Sequence, residues 1–130
     1  MQMVIYLVVG LSLTWVLYLL YIHLESKSIE GRDTKDLVNL IPDLHNHPNK
    51  ALIYCFSKTC APCSSMTPLI DEMHAEGEPV FKVNISEHAD IAKDIGIKGV
   101  PTLLLINHGT ITRVVLGSQS RKQIETLLGS

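Results

Sequence analysis

Residues 55–73, CFSKTCAPCSSMTPLIDEM, contain the pattern that decides the fold. Two cysteines, Cys60 and Cys63, stand where an apolar run of strand length, residues 51–56, gives way to a helical pattern over about 61–76. The apolar residues of that second stretch recur at helical spacing: Met66, Leu69, Ile70 and Met73. The sequence therefore predicts a buried strand, a short loop, and a helix that begins at the cysteine pair.

Outward from this stretch, short helix patterns alternate with short strand patterns. Helices are predicted over 34–45, 88–95 and from 121 onward, and strands over 79–85, 102–106 and 110–116. Thr34 and Ser120 are suited to cap the first and last of these helices, and Pro42 is expected to break or bend the first. This order predicts an α/β domain built on a mixed sheet with helices on both faces.

The N-terminal segment has the composition of a membrane span. Residues 3–22, MVIYLVVGLSLTWVLYLLYI, contain no Asp, Glu, Lys or Arg, and as a helix they would cover about 30 Å, the thickness of a bilayer's hydrocarbon core. A cleaved signal peptide fits less well, because the run exceeds an apolar region of about 7–15 residues and no basic residue precedes it. A buried core helix would need a larger protein around it. We predict a transmembrane anchor over 1–24, a tether over 25–33 and a domain over 34–130.

Composition excludes several classes of protein. The net charge is -2, so no general attraction to nucleic acid is expected. All 11 basic and 13 acidic residues lie after residue 24, which gives the remainder the charge content of a globular domain. The 46% apolar content and three cysteines exclude a disordered chain and a scaffold held together by many disulfides.

The motif Cys60-Ala61-Pro62-Cys63 is suited to thiol–disulfide chemistry. A cysteine at a helix N-terminus meets unpaired backbone N–H groups, which favour the thiolate and make Cys60 the expected nucleophile. Cys63, one helical turn later, would attack a mixed disulfide and release the substrate. Pro62 lacks an N–H where the start of a helix tolerates that loss.

Metal binding is the alternative use of two cysteines at this spacing. A structural zinc site takes four ligands, and the nearest candidates, His45 and His47, lie in a polar stretch that we interpret as a solvated loop. We therefore expect no metal site of this kind. A soft metal such as Cu(I) held by the cysteine pair alone stays open as an alternative.

Several separated motifs together resemble the thioredoxin family over about residues 50–130. The quoted stretch is followed by FKVNISEH, IGIKGVPTLLLINHG and VLGSQS, in the family's order. Pro68 matches the proline inside the active-site helix, and Lys82 matches the lysine on the neighbouring strand. Val100 and Pro101 match the loop whose cis-proline faces the thiols. The resemblance implies a thioredoxin-like fold, with a mixed sheet flanked by helices.

The resemblance also implies an activity and its residues. The family exchanges disulfides with protein substrates and needs no cofactor beyond a redox-active disulfide, here Cys60–Cys63. Val100 would expose its backbone for pairing with a substrate segment, beside Pro101 and Thr59. We expect a reductase that acts as a monomer. A redox-silent docking module that kept the fold is the alternative from another class.

The chain departs from the family at positions near the cysteines. Tyr54 stands where a buried Asp usually accepts the proton of the second thiol, so that role falls to Tyr54 or to water. Ala61 replaces the usual Gly, and Thr59 and Phe56 replace two Trp residues of the substrate platform. Cys55, in the middle of the strand, is interpreted as a buried structural thiol.

Two observations point to opposite sides of the membrane. Lys27, Arg32 and Lys35 follow the span and favour a cytoplasmic domain by the positive-inside rule. The resemblance favours the opposite side, since family members behind an N-terminal anchor are usually bacterial envelope proteins facing the periplasm. We expect a single-pass protein of a bacterial inner membrane with a periplasmic domain and a membrane electron donor. A cytoplasm-facing domain is the alternative.

Overall fold

A four-stranded mixed sheet lies at the centre of the domain in the computed structural model, which describes residues 1–27 and 29–129. Its strands are β1 (Lys50–Phe56), β2 (Val80–Asn84), β3 (Thr102–Asn107) and β4 (Thr110–Leu116). They are ordered β2-β1-β3-β4. The pair β1 and β2 is parallel, whereas β3 runs antiparallel to both of its neighbours. The predicted mixed α/β sheet is confirmed.

The helices follow the predicted order. They are α1 (Gln2–Lys27), α2 (Lys35–Leu40), α3 (Ala61–Ala75), α4 (Ala89–Ile95) and α5 (Arg121–Gly129), with a 3₁₀ helix at Pro42–Asn46. Ser120 caps α5 as expected, because its hydroxyl accepts from the N–H of Gln123 while its own N–H donates to the Gln123 side chain. Gly96 ends α4 with a positive φ of 93°.

The helix predicted over 34–45 is interrupted. Ile41 leaves helical geometry with φ -121° and ψ 87°, immediately before Pro42, and the chain continues as the 3₁₀ helix. Thr34 is the N-cap residue of α2, as expected, but its side chain makes no capping hydrogen bond. Its hydroxyl instead donates to the carbonyl of Gly109 at 2.8 Å, in the turn between β3 and β4.

Side chains alternate between two core clusters on opposite faces of the sheet. One face packs against α2, the 3₁₀ helix and α4, and its members include Ile53, Cys55, Phe81 and Leu104. The other face packs against α3 and α5, and its members include Leu52, Tyr54, Leu103 and Leu105. Because helices cover both faces, β1 is buried along its whole middle, which explains its continuous apolar run.

The N-terminal helix α1 stands apart from this core. Its portion Gln2–Tyr21 is apolar enough to cross a membrane by length and composition, with a mean hydropathy of 2.3, and none of it is buried. The predicted helix is confirmed over residues 3–22, and helical backbone continues to Lys27.

The tether predicted over 25–33 differs from the structure. Ser28 lies outside the described residues, and the chain from Ile29 onward packs on the domain. Ile29 is only 7% exposed, and Asp33 forms an antiparallel bridge with Thr110 of β4. An apolar side chain within the polar stretch and the unpaired edge of β4 together explain the packing. Residues 29–33 therefore belong to the domain.

Candidate active site

The cysteine pair lies at the carboxyl end of β1, where α3 begins. Cys60 is the N-cap residue of α3, with an extended backbone, and Pro62 lies in the first turn. Cys60 and Cys63 form a disulfide with their Cα atoms 5.2 Å apart. The N–H of Cys63 points to the sulfur of Cys60 at 3.2 Å. A helix N-terminus and a donated N–H both favour negative charge on that sulfur after reduction.

The two sulfurs differ in their access to solvent. Cys63 is 1% exposed and belongs to the core cluster against α3, whereas Cys60 is half-buried at its edge. The neighbours Thr59, Ala61 and Pro62 are all exposed, so small side chains surround Cys60. Of the two cysteines, Cys60 is therefore the more accessible to an incoming disulfide.

The loop before β3 lies beside the same core cluster. The peptide bond between Val100 and Pro101 is cis, as the resemblance implies. Val100 and Cys60 both pack against the core cluster under α3. The carbonyl of Pro101 accepts from Gly117, and the Thr102 hydroxyl donates to the carbonyl of Gly99, so both ends of the loop are held.

Tyr54 occupies the position at which the resemblance places an acid. Its side chain is fully buried, and its hydroxyl donates to the carbonyl of Cys63 at 3.0 Å. The same hydroxyl lies 3.2 Å from that of Thr67, which also donates to the Cys63 carbonyl. The ring stacks on Phe56 with 5.5 Å between centroids. Burial raises the pKa of Tyr54, so the phenol is a neutral hydrogen-bond donor at neutral pH.

Lys82 lies beside Tyr54 and forms an ion pair with a residue of the active-site helix. Lys82 and Tyr54 are register partners on β2 and β1. The Lys82 ammonium contacts the carboxylate of Asp71 on α3 at 2.6 Å, and both side chains are about half exposed. Solvent screens such a pair, so its contribution to stability is small.

Sequence reasoning missed four residues around the site. Thr67 and Asp71 follow Cys63 at intervals of four on α3, and this spacing was the available signal. Lys58, in the loop before Cys60, forms an ion pair with Glu87 at 2.7 Å.

Leu116, at the end of β4, is the fourth of these residues. It is 57% exposed, and among the described residues it is the only large apolar side chain so exposed outside residues 1–24. It pairs with Thr102, immediately after the cis-proline, so it places apolar surface at the same end of the sheet as the cysteines.

Metal ligands do not cluster in the part of the chain that the structure describes: no group of three or more His, Cys, Asp or Glu residues there is arranged to hold an ion. His47 packs its ring against Phe81 with centroids 5.7 Å apart, and His45 is exposed. Both histidines precede β1, whereas the cysteine pair follows it. The two histidines therefore lie at the end of the strand away from the cysteines.

Comparison with known proteins agrees with this geometry. A family model described as thioredoxin matches residues 30–130, which is most of the chain. The chain belongs to the thioredoxin family. With its family shown and its cysteine pair able to form the disulfide, the protein is a thiol–disulfide oxidoreductase.

Bacterial thioredoxins are among its relatives. Thioredoxin from Alicyclobacillus acidocaldarius is 31% identical over 80 residues, which cover 59% of this chain and 76% of that protein. Thioredoxin from Chlamydia caviae is 33% identical over 79 residues, covering 59% of this chain and 78% of that one. A solved structure, a single-residue mutant of thioredoxin from Halobacterium salinarum, is similar with a TM-score of 0.59 and 28% identity, covering 66% and 77% of the two chains.

Proposed function

We propose that this member of the thioredoxin family reduces disulfides in protein substrates at a membrane surface. Cys60 is the nucleophile and Cys63 the resolving thiol. The observation that supports these roles is the difference between the two sulfurs: Cys60 is half-buried at the start of α3, and Cys63 lies in the core.

The proposed reaction passes two electrons to the substrate. The Cys60 thiolate attacks one sulfur of the substrate disulfide, forms a mixed disulfide, and expels the other substrate sulfur, which takes a proton from water. Cys63 then loses its proton and attacks the Cys60 sulfur, which expels the second substrate thiol. The product is the Cys60–Cys63 disulfide, the state present in the structure. Because Tyr54 is a neutral donor held by the Cys63 carbonyl, we assign the proton of Cys63 to water.

The proposed docking surface surrounds Cys60. The Val100 backbone beside cis-Pro101 would pair with an extended substrate segment, and Thr59 would contact its side chains. Leu116 adds exposed apolar surface at the same end of the sheet. Such a surface suits unfolded or extended protein segments better than a small molecule.

The electron donor and the location complete the proposal. A dithiol on a membrane partner would reduce the Cys60–Cys63 disulfide by the same kind of exchange. In that step this protein is the substrate, because the partner's thiolate attacks its disulfide. We place α1 across a bacterial inner membrane with the domain in the periplasm, because a reductase outside the cytoplasm needs both retention and a supply of electrons. Its apolar stretch Gln2–Tyr21 supports the anchor.

Single cysteine variants of the full chain test the roles of the pair. Cys60→Ser should abolish insulin reduction, and Cys63→Ser should accumulate mixed disulfides with substrate, because release needs the second thiol. Cys55→Ala, which removes a buried thiol outside the pair, is the control and should stay active. Undiminished activity of Cys60→Ser would disprove the assignment. The absence of insulin reduction by the unmodified protein would favour a redox-silent module or a Cu(I) carrier, which a metal titration of the reduced protein would then separate.

Two further measurements test the direction of electron flow and the side of the membrane on which the domain lies. A reduction potential of the pair of about -270 mV supports a reductase, whereas one of about -120 mV identifies an oxidant. Labelling of intact cells with an impermeant thiol reagent, after mild reduction, tests the location. Labelling of Cys60 before lysis supports the periplasmic side, and labelling only after lysis places the domain in the cytoplasm.

A further inference from the structure

The chain that joins α1 to the domain is packed against the domain. We call residues 29–34 the stalk. Ile29 is 7% exposed within the core cluster, and its Cγ1 lies 3.4 Å from where a Cβ on Gly96 would stand. The guanidinium of Arg32 donates to the carbonyl of Asp94 on α4. These contacts fix the stalk to the end of α4.

Backbone hydrogen bonds fix the stalk to the edge of the sheet as well. The N–H of Gly31 donates to the carbonyl of Ile111 at 2.6 Å, and the N–H of Ile111 donates to the carbonyl of Arg32 at 3.1 Å. At the end of the stalk, both the N–H and the hydroxyl of Thr34 donate to the carbonyl of Gly109, and Thr34 is 1% exposed. Five hydrogen bonds to protein carbonyls, counting that of Arg32, therefore hold six residues.

This packing limits how far the thiols can lie from the end of α1. Only Ser28 separates Lys27 from Ile29, and two Cα steps span at most about 7.6 Å. A domain of this size has a radius of gyration of about 13 Å, which corresponds to a diameter of roughly 35 Å. Cys60 therefore lies within about 45 Å of the end of the helix. A free linker over residues 28–33 would add about 20 Å.

We propose that the stalk holds the cysteine pair close to the bilayer, so that the enzyme reduces disulfides near the membrane surface and not those carried far above it. The substrate class is then the membrane-proximal disulfides of membrane-bound proteins. This inference rests on the proposed role of α1 as a membrane anchor. It adds no step to the exchange reaction and needs no further reactant.

Hydrogen exchange on the full chain in lipid nanodiscs tests the packing. The amides of Gly31 and Ile111 should exchange at least ~100-fold more slowly than unprotected amides. In Ile29→Asp, Gly31 should lose that protection, whereas Ile53 in β1 should keep it, which shows that the sheet is still folded. Exchange of Gly31 at the unprotected rate in the unmodified protein would overturn the proposal.

Reduction rates of disulfide probes held at different distances from a vesicle surface test whether the enzyme acts only near the membrane. Fluorogenic disulfide peptides are attached to lipid directly or through rigid helical spacers of about 30, 50 and 75 Å, at 1.5 Å per residue. The unmodified protein should reduce the direct and shortest probes at least ~10-fold faster than the longest. A flexible linker of about 60 Gly and Ser residues between Lys27 and Ser28 should bring these rates within ~3-fold, because its root-mean-square length is about 43 Å. The same linker before Gln2 lengthens the chain without freeing the domain, so it should leave the ratio unchanged.

The failures of the two proposals are distinguishable. Flotation with vesicles and reduction of soluble insulin are measured for every variant. If the unmodified protein does not float with the vesicles, or does not reduce insulin, the proposed function is contradicted. A protein that floats and reduces insulin, but reduces all the probes at equal rates, contradicts the stalk proposal alone.

Discussion

The hydroxyl of Tyr54 lies 3.0 Å from the carbonyl oxygen of Cys63, so a core strand holds the first turn of the active-site helix through its backbone. Thr67 donates to the same carbonyl from one turn later, at 2.8 Å. Because a carbonyl only accepts, Tyr54 uses its proton in this bond. We therefore expect Tyr54 to position Cys63 and not to receive its proton.

Tyr54→Asp is expected to speed the second half of the reaction. A carboxylate at this place would accept the proton of Cys63, which should raise the rate of release from the mixed disulfide at pH 7. The variant should lose about 3–5 kcal/mol of unfolding free energy, because a large buried ring is removed and a carboxylate is buried. Rapid-quench measurement of product release checks the rate. A rate in the folded variant at or below that of the unmodified protein would show that the site does not use an acid here.

Tyr54→Phe separates positioning from proton transfer. Removing the hydroxyl alone should cost about 1 kcal/mol, the usual net value of one hydrogen bond. Because burial raises the pKa of Tyr54, its phenol is neutral throughout pH 6–9, and the pH profile of the reduction rate there should keep its shape. If the variant instead lost one of the pH-dependent changes in the reduction rate, Tyr54 would be acting as an acid–base group.

Leu116→Ser is expected to weaken the binding of protein substrates. Leu116 is exposed beside the cis-proline loop, and loss of its burial against a substrate should cost about 1 kcal/mol, or ~5-fold in KM. The rate with a small disulfide reagent should not change. Arg113→Gln, on the same strand but further from that loop, is the control. Equal effects of the two variants on KM would contradict a docking role for Leu116.

Alkaline pH is expected to destabilise the protein through Cys55. Burial raises the pKa of this thiol from 9.0 to about 12. Between these values the unfolded chain loses the proton and the folded chain keeps it, so the free energy of unfolding falls as pH rises through that range. At 1.36 kcal/mol per unit, the loss by pH 10.5 is roughly 2 kcal/mol. Urea unfolding of the oxidised protein at pH 8 and 10.5 measures it, and the part due to Cys55 should vanish in Cys55→Ala.

Local patterns were sufficient for the elements and for the centre of the site. Helix α3 could be predicted because its apolar spacing reports which face is buried, β1 because it is a short continuous apolar run, and the end of α4 because Gly96 follows it. Cys60 and Cys63 are only three residues apart, so both thiols lie at the start of the same helix whatever the packing of the rest of the domain. The cis bond before Pro101 came from the resemblance to the family, since nothing local to that bond indicates it.

Contacts between distant segments could not be predicted in the same way. The sequence around Thr34 suits a helix cap, yet its hydroxyl bonds Gly109, which is 75 residues away. Lys82 is identifiable on β2, but its partner Asp71 depends on how α3 crosses the sheet. Residues 29–33 fall within the predicted tether because most of them are polar, and their partner on β4, Ile111, lies far along the chain.

Ile29→Ala should show that the stalk contributes to the stability of the domain. The side chain of Ile29 is buried within a cluster that includes Leu37 and Ile95. Truncation of a buried Ile to Ala typically costs about 2–5 kcal/mol. Glu30→Ala, at the exposed neighbouring position, is the matched control and should change the unfolding free energy by less than about 0.5 kcal/mol. Urea unfolding of the full chain in detergent, followed by a probe within the sheet, measures both. Only a side chain held in the core makes the two variants differ in unfolding free energy. Equal small changes in both would therefore mean that residues 29–33 do not pack on the domain in solution.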